Sequence, residues 1–315
     1  MKLTSLVEQF IAYKQSLGMK YVSSARHLRQ FCRELGNVDT TRIAPAKIHA
    51  FLYGSRQITR YWHVKAGLLR RLHQFAQVRD YPFRCPLPAF VPKKPEAMKP
   101  YIYSTEEICR ILNVVQNLHP KKAFELEPFT LGTLLLLLYG AALRLGEAIS
   151  LTAADVDLPN QLLTIRHAKF FKTRLVPIGP KLTAILADYS RKRREWTKTS
   201  ETSAPFFLGR SGRALSFPTV ETWFRRVCRI AGVHREPNAR YQPRLHDFRH
   251  TAAVHRLLAW YRNGADVSRN LHFLSVYLGH AKMQDTQVYL TLTPELLAQA
   301  NRRFQRYALL EVSHV

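Results

Sequence analysis

Six prolines between Pro82 and Pro100, in the stretch PFRCPLPAFVPKKPEAMKP, constrain this chain more than any other feature. Proline fixes φ and lacks a backbone N–H, so neither a helix nor a central strand runs through such a segment. The 315 residues therefore divide. The expected organisation is a helical domain over 1–81, an extended linker over 82–100 and a larger domain over 101–315.

Before the prolines the apolar period is helical. TSLVEQFIAYKQSLG aligns Leu6, Phe10, Ile11 and Leu17 on one stripe, with Thr4 as N-cap and Gly18 as stop. The same pattern recurs from Ser23 to Gly36, and two more helices are expected at 45–53 and 57–79. After the prolines, Ser104 and Glu107 form the capping box of a new helix. A helical region covers 129–150. The sequence ADVDLPNQLLTIRHAKFFKTRLVPI then alternates, which predicts about three short antiparallel strands. One turn falls at Pro159–Asn160 and a second near Lys169 to Lys172. Helices are expected again at 180–195, at 217–231, from His246 onward and on either side of Tyr289. The fold class read from these patterns is mainly α with a small antiparallel β-sheet.

Lys and Arg number 48 against 22 Asp and Glu, a formal net charge of +26. Residues 1–100 hold 18 basic and 5 acidic side chains and residues 101–315 hold 30 and 17, so each part carries an excess of 13. Charge of this size on both parts calls for a polyanion, and a regular duplex suits a two-part clamp better than a membrane surface does. The four cysteines, Cys32, Cys85, Cys109 and Cys228, have no C-x-x-C spacing. Reduced, mostly buried thiols of a cytoplasmic, bacterial protein are expected. The N-terminus lacks a signal-peptide core, and LGTLLLLLYGAAL (131–143) is too short and too interrupted for a membrane span.

Four separated stretches carry the chemistry: ALRLGEAISL with Arg144, HAKFFKTRLVPI with Lys169, LHDFRH with His246 and Arg249, and LGH followed nine residues after His280 by Tyr289. Together, in this order, they resemble the tyrosine recombinase (phage integrase) family, which includes Xer proteins, Cre and transposases of some mobile elements. The resemblance spans the catalytic half, and the helical N-terminal region suits that family's core-binding domain.

The resemblance implies that Tyr289 attacks the scissile phosphate to form a 3′-phosphotyrosine and that exchange passes through a Holliday junction, with no cofactor and no metal. A phenol with a pKa near ~10 is hardly ionised at neutral pH, so it needs activation. Arg144 and Arg249 would grip the non-bridging oxygens with their planar forks, Glu147 orienting the first. His246 would bond the phosphate or accept the tyrosine proton, and His280 would donate to a phosphate oxygen. Lys169 would protonate the departing 5′ oxygen, with Lys172 as a rival, since phenylalanines stand where the family carries glycines. Ala142 in place of a common Gly and Phe248 in place of Leu read as packing changes.

Aromatics and cations interleave in RYWHVKAGLLRRLHQF (60–75), as in a helix laid in a major groove. Arg56, Arg60, Lys65, Arg70 and Arg71 are the DNA contacts expected there, and Lys172 and Arg174 those of the hairpin. The implied partners are double-stranded DNA and further copies of the chain, a homo-tetramer on two duplexes joined through the helix after Tyr289. Integration or transposition of a mobile element is the expected role.

Competing readings are a type IB topoisomerase, chromosome-dimer resolution by a Xer-like enzyme, a DNA-binding module without catalysis, and a zinc hydrolase. The last rests on His246 and His250 at i, i+4, with Asp replacing the usual Glu base.

Overall fold

The computed structural model describes residues 1–54, 58–96, 98–119, 126–166, 173–197 and 202–312. They form two compact units, Met1–Met98 and Lys99–Val315.

The first unit packs α1 (Leu3–Ser16), α2 (Val22–Leu35), α3 (Pro45–Tyr53) and α4 (Arg60–Gln77) around Leu6, Phe10, Leu28, Phe31, Ile48, Leu69 and Leu72. α1 starts before the expected Thr4 cap, because Leu3 donates its N–H to Val38 and Lys2 bridges Asp39, pinning the chain end. It stops at Ser16, so Leu17 falls outside the stripe and is 53% exposed. The first unit also runs past residue 81 into the proline stretch. Phe83 is buried in the core, Cys85 and Leu87 pack on it, and the Thr40 hydroxyl donates to the Pro82 carbonyl. Proline excludes regular structure, but it does not prevent an extended segment from packing.

In the second unit α5 (Thr105–Gln116) carries the capping box of Ser104 and Glu107. α6 (Pro128–Gly140) is apolar all round because α5, α8 (Pro180–Thr197) and α10 (Leu245–Arg262) surround it. No helix among the described residues is long and apolar enough to cross a membrane. The expected 129–150 helix breaks after Gly140, where Ala142 takes φ +50, and resumes as α7 (Leu145–Ile149). β1 (Val156–Asp157), β2 (Leu162–Ile165) and β3 (Arg174–Pro177) form an antiparallel sheet in that order. Its inward residues Leu163, Ile165 and Val176 are buried. Asn160 closes the first turn on the Asp157 carboxylate.

α9 (Phe217–Ile230) packs against α5 and α7. α10 then serves two clusters. Leu245 and Phe248 belong to the cluster of α5 to α9 and the sheet, whereas Ala253, Val254 and Leu257 join α11 (Val267–Leu278), Tyr289 and Leu296. Phe248 fills its place against Tyr103 and Phe224, with ring centroids 4.7 and 5.7 Å away. A short α12 (Gln284–Gln287) and a 3-10 turn over Val288–Thr291 lead to α13 (Pro294–Val312). α13 packs on α10 of its own chain and buries Leu296, so it is not left uncovered; Leu297 and Phe304 remain exposed. All four cysteines are free. Cys32 and Cys228 are buried, while Cys109 lies exposed on α5, against the expectation for most thiols.

Candidate active site

Four segments converge where the two clusters of the second unit meet: the starts of α7 and α10, the end of α11 and the 3-10 turn. Arg144 caps the start of α7; its backbone N–H donates to Glu147 Oε2 at 3.0 Å while its Nη1 reaches Oε1 at 2.6 Å. Arg174, at the head of β3, grips the same carboxylate with both terminal nitrogens, at 3.1 and 2.8 Å. Burial alone would raise the Glu147 carboxyl. The Arg174 and Arg144 hydrogen bonds and the Arg174 charge outweigh it and hold the group down to about 2. Glu147 is therefore ionised at any working pH and fixes two guanidiniums at once.

Arg174, expected from the sequence as a DNA contact, is thus engaged inside the protein. Its side chain is 12% exposed, its charge is matched by Glu147, and its Nε donates to the Tyr277 carbonyl. The guanidinium also lies across Gly279, where an added Cβ would come within 3.0 Å. Gly279 has φ +66 as the C-cap of α11, so both conformation and space require glycine there.

Arg249 is 1% exposed. Its Nη1 donates to the Ala142 carbonyl at 2.7 Å and its Nη2 to the Leu278 carbonyl. The break between α6 and α7 presents that first carbonyl, and Ala142 is left-handed there. Replacement of glycine by Ala142 is therefore a backbone matter, and not only the packing change expected. Burial first, then the Arg144 charge, push Arg249 down to about 10, still protonated at neutral pH.

Tyr289 is 3% exposed, held by the 3-10 turn between His250 and His280. Its Oη lies 3.1 Å from His250 Nδ1. The His280 ring lies near-parallel to the phenol, with centroids 6.1 Å apart. Burial raises the phenol pKa, and the neighbouring Arg249 opposes that rise. His280 Nδ1 is 2.7 Å from the hydroxyl of the fully buried Thr286. Burial and then Arg249 and Arg144 lower His280 to about 4, so its ring is neutral. His246 stands exposed one helical turn before His250, with the rings edge-on at 4.7 Å. Its pKa is lowered first by desolvation, then by Arg249 and Arg244.

The structure thus gathers Arg144, His246, Arg249, His280 and Tyr289 from segments far apart in sequence. Lys169 and Lys172 lie outside the described residues, as does Arg56. On α4, Arg60, Arg70 and Arg71 are exposed, but Lys65, expected as a DNA contact, is turned inward. It is 9% exposed, donates to the Phe51 carbonyl at 2.5 Å and lies over the Phe51 and Tyr61 rings. Sequence reasoning passed over His250, naming it only in the zinc-hydrolase reading. Among the described residues, no three His, Cys, Asp or Glu side chains come together as metal ligands. The signal for His250 was its place one turn after His246, on the same face of α10.

The model of the phage integrase family matches residues 103–295, which includes every residue of this site. The chain belongs to the phage integrase family of tyrosine recombinases. Tyrosine recombinases are enzymes that cleave and rejoin DNA strands. The chain is similar along almost its whole length to the putative integrase/recombinase y4rB of Sinorhizobium fredii (strain NBRC 101917 / NGR234). The two are 35% identical over 302 residues, covering 95% of this chain and 96% of the relative. Tyrosine recombinase XerA of Thermococcus kodakarensis is 31% identical over 214 residues, covering 67% and 65%. The Tn1549 transposon integrase in complex with transposon right end DNA shares the fold, with a TM-score of 0.68 at 15% identity over 98% of this chain and 100% of that one. A lambda integrase tetramer bound to a Holliday junction gives 0.65 at 14% identity, over 92% and 77%.

Proposed function

We propose that this recombinase cuts DNA at specific sites by attack of Tyr289 on the scissile phosphate, leaving a 3′-phosphotyrosine and a free 5′-hydroxyl. A 5′-hydroxyl from the partner duplex reverses the step, so the bond energy is conserved and neither nucleotide nor metal is required. The observation that carries this reading is the position of the Tyr289 hydroxyl, buried beside Arg249 and bonded to an imidazole. A phenol placed there has cations to stabilise its oxyanion and a base to take its proton.

In this reading Arg144 and Arg249 hold the non-bridging oxygens and the charge that grows on them. With the Thr286 hydroxyl, 2.7 Å away, donating to Nδ1, the neutral His280 ring keeps Nε2–H to donate to a phosphate oxygen. His246, at the mouth, bonds the phosphate. Lys169 protonates the 5′ leaving oxygen. Arg60, Arg70 and Arg71 on α4 track the duplex backbone. Four copies act on two duplexes through a Holliday junction, joined through α13, whose Leu297 and Phe304 are exposed. The reading extends to transposition or integration of a mobile element in a bacterial cytoplasm. Its supports are the similarity to a putative integrase/recombinase and the shared fold with a transposon integrase.

The test is a nicked suicide substrate, on which wild type should accumulate a covalent protein–DNA species mapped to Tyr289. Tyr289→Phe should bind DNA equally well and form none. An adduct with that variant would move the nucleophile to another phenol. Relaxed plasmid without recombinant product would make the enzyme a topoisomerase.

A further inference from the structure

We infer that His250, and not His246, takes the phenolic proton of Tyr289 as the tyrosine oxygen attacks phosphorus. The inference rests on Tyr289 being the nucleophile. His250 Nδ1 and Tyr289 Oη are 3.1 Å apart, within the reach a general base needs, although the residues are 39 positions apart in sequence. α10 sets the geometry. His246 and His250 occupy successive turns of one face, so the first ring stands at the exposed mouth and the second lies deeper, against the phenol. One turn of helix separates a histidine placed for the substrate from a histidine placed for the nucleophile.

The protonation state agrees with this assignment. Burial, followed by the charges of His246, Arg244, Arg249 and His280, holds the His250 imidazole down to about 3. A neutral imidazole has one acceptor nitrogen. With Nδ1 facing the hydroxyl, the ring proton sits on Nε2 and the phenol donates to Nδ1. In the cleavage step the Oη–P bond forms, the P–O5′ bond breaks, the phenolic proton passes to Nδ1 and the leaving 5′ oxygen takes its proton from a separate acid. The resulting imidazolium stands among arginines, so His250 is a weak base while the site is empty. The scissile phosphodiester and the second negative charge of the phosphorane supply the counter-charge that makes the transfer favourable. Rejoining runs the same path backwards: the imidazolium returns its proton to the departing phenoxide.

His250→Asn separates a proton acceptor from a mere orienting group. The asparagine amide oxygen stands near the Nδ1 position and accepts a hydrogen bond, but it takes up no proton. Single-turnover cleavage of the suicide substrate by His250→Asn should fall about 10²–10⁴-fold, the range of general-base catalysis, with DNA affinity unchanged. Replacing Tyr289 with trifluorotyrosine, a more acidic phenol that needs no base, should bring the variant back to within about tenfold of wild type carrying the same residue. Cleavage by His250→Asn within about threefold of wild type would overturn the inference. So would loss and fluorotyrosine recovery seen in His246→Asn but not in His250→Asn. If His250→Asn no longer binds DNA, His250→Gln is read in the same assay with the same criteria. Failure of wild type to form an adduct at Tyr289 would instead refute the nucleophile, so the two ideas fail in distinguishable ways.

Discussion

Arg60, Arg70 and Arg71 stand exposed along α4, whereas Arg249 is 1% exposed and the Arg174 side chain 12%. The α4 side chains face solvent and, in the proposed function, gain from DNA mainly by releasing counterions. Those around Tyr289 are already held by Glu147 and by the carbonyls of Ala142, Tyr277 and Leu278. Arg174 and Arg249 have lost most of their solvent before substrate arrives, so little reorganisation of them is needed when charge develops on phosphorus in the proposed reaction. In the proposed function one residue type thus serves affinity in one region and rate in the other, and what separates the two is the polar shell that each guanidinium owns before binding.

Arg249→Lys tests the pocket side of this contrast and should have the largest effect. An ammonium lacks the planar fork that spans the Ala142 and Leu278 carbonyls. Cleavage at saturating DNA should fall by about 10²–10³, the loss typical of a preorganised donor, while the salt dependence of binding stays put. A shifted salt slope with normal cleavage would place Arg249 among the backbone contacts.

The opposite signature belongs to α4. Arg70→Ala combined with Arg71→Ala should reduce the log–log salt slope of binding by about two, roughly one for each phosphate no longer neutralised. Cleavage at saturating DNA should be unaffected. An unchanged slope, measured by fluorescence anisotropy across a salt series, would take α4 off the duplex.

How much of this was legible beforehand depends on the range of the interaction. The Ser104–Glu107 cap and the β2–β3 alternation are local, and both appear where the sequence places them. Lys65 was legible too and was misjudged: it precedes Leu68, Leu69 and Leu72 by three, four and seven residues, which sets it on the buried stripe. Counting its charge without turning the helix made it a DNA contact. The Arg174–Glu147 pair and the His250–Tyr289 pair join segments 27 and 39 residues apart. Nothing in residue type or spacing announces such partners, because their meeting depends on how α7, β3, α10 and the 3-10 turn pack.

The smallest expected effect lies at the backbone that supports Arg249. Ala142→Gly relieves a left-handed alanine, a conformation costing roughly 1–2 kcal/mol, and gives back part of that gain in unfolded-chain entropy. The net gain should be up to about 1 kcal/mol, which for a unit of this size raises Tm by about 2–4 °C. Cleavage should be unchanged, since the carbonyl bonded to Arg249 is retained. A fall in Tm by scanning calorimetry would mean that packing of the Ala142 methyl outweighs the backbone strain.

The sharing of one carboxylate by two arginines also sets an electrostatic balance for the pocket. With His250 and His280 neutral, Arg144, Arg174 and Arg249 bring three positive charges and Glu147 removes one. Two positive charges remain among these four groups. A phosphodiester in the ground state carries a single negative charge and leaves that surplus half compensated. The phosphorane of the proposed reaction carries two, beside the imidazolium that has taken the phenolic proton. Glu147 thus limits the pull of the cavity on the DNA that enters it, which favours turnover over tight retention of uncut substrate.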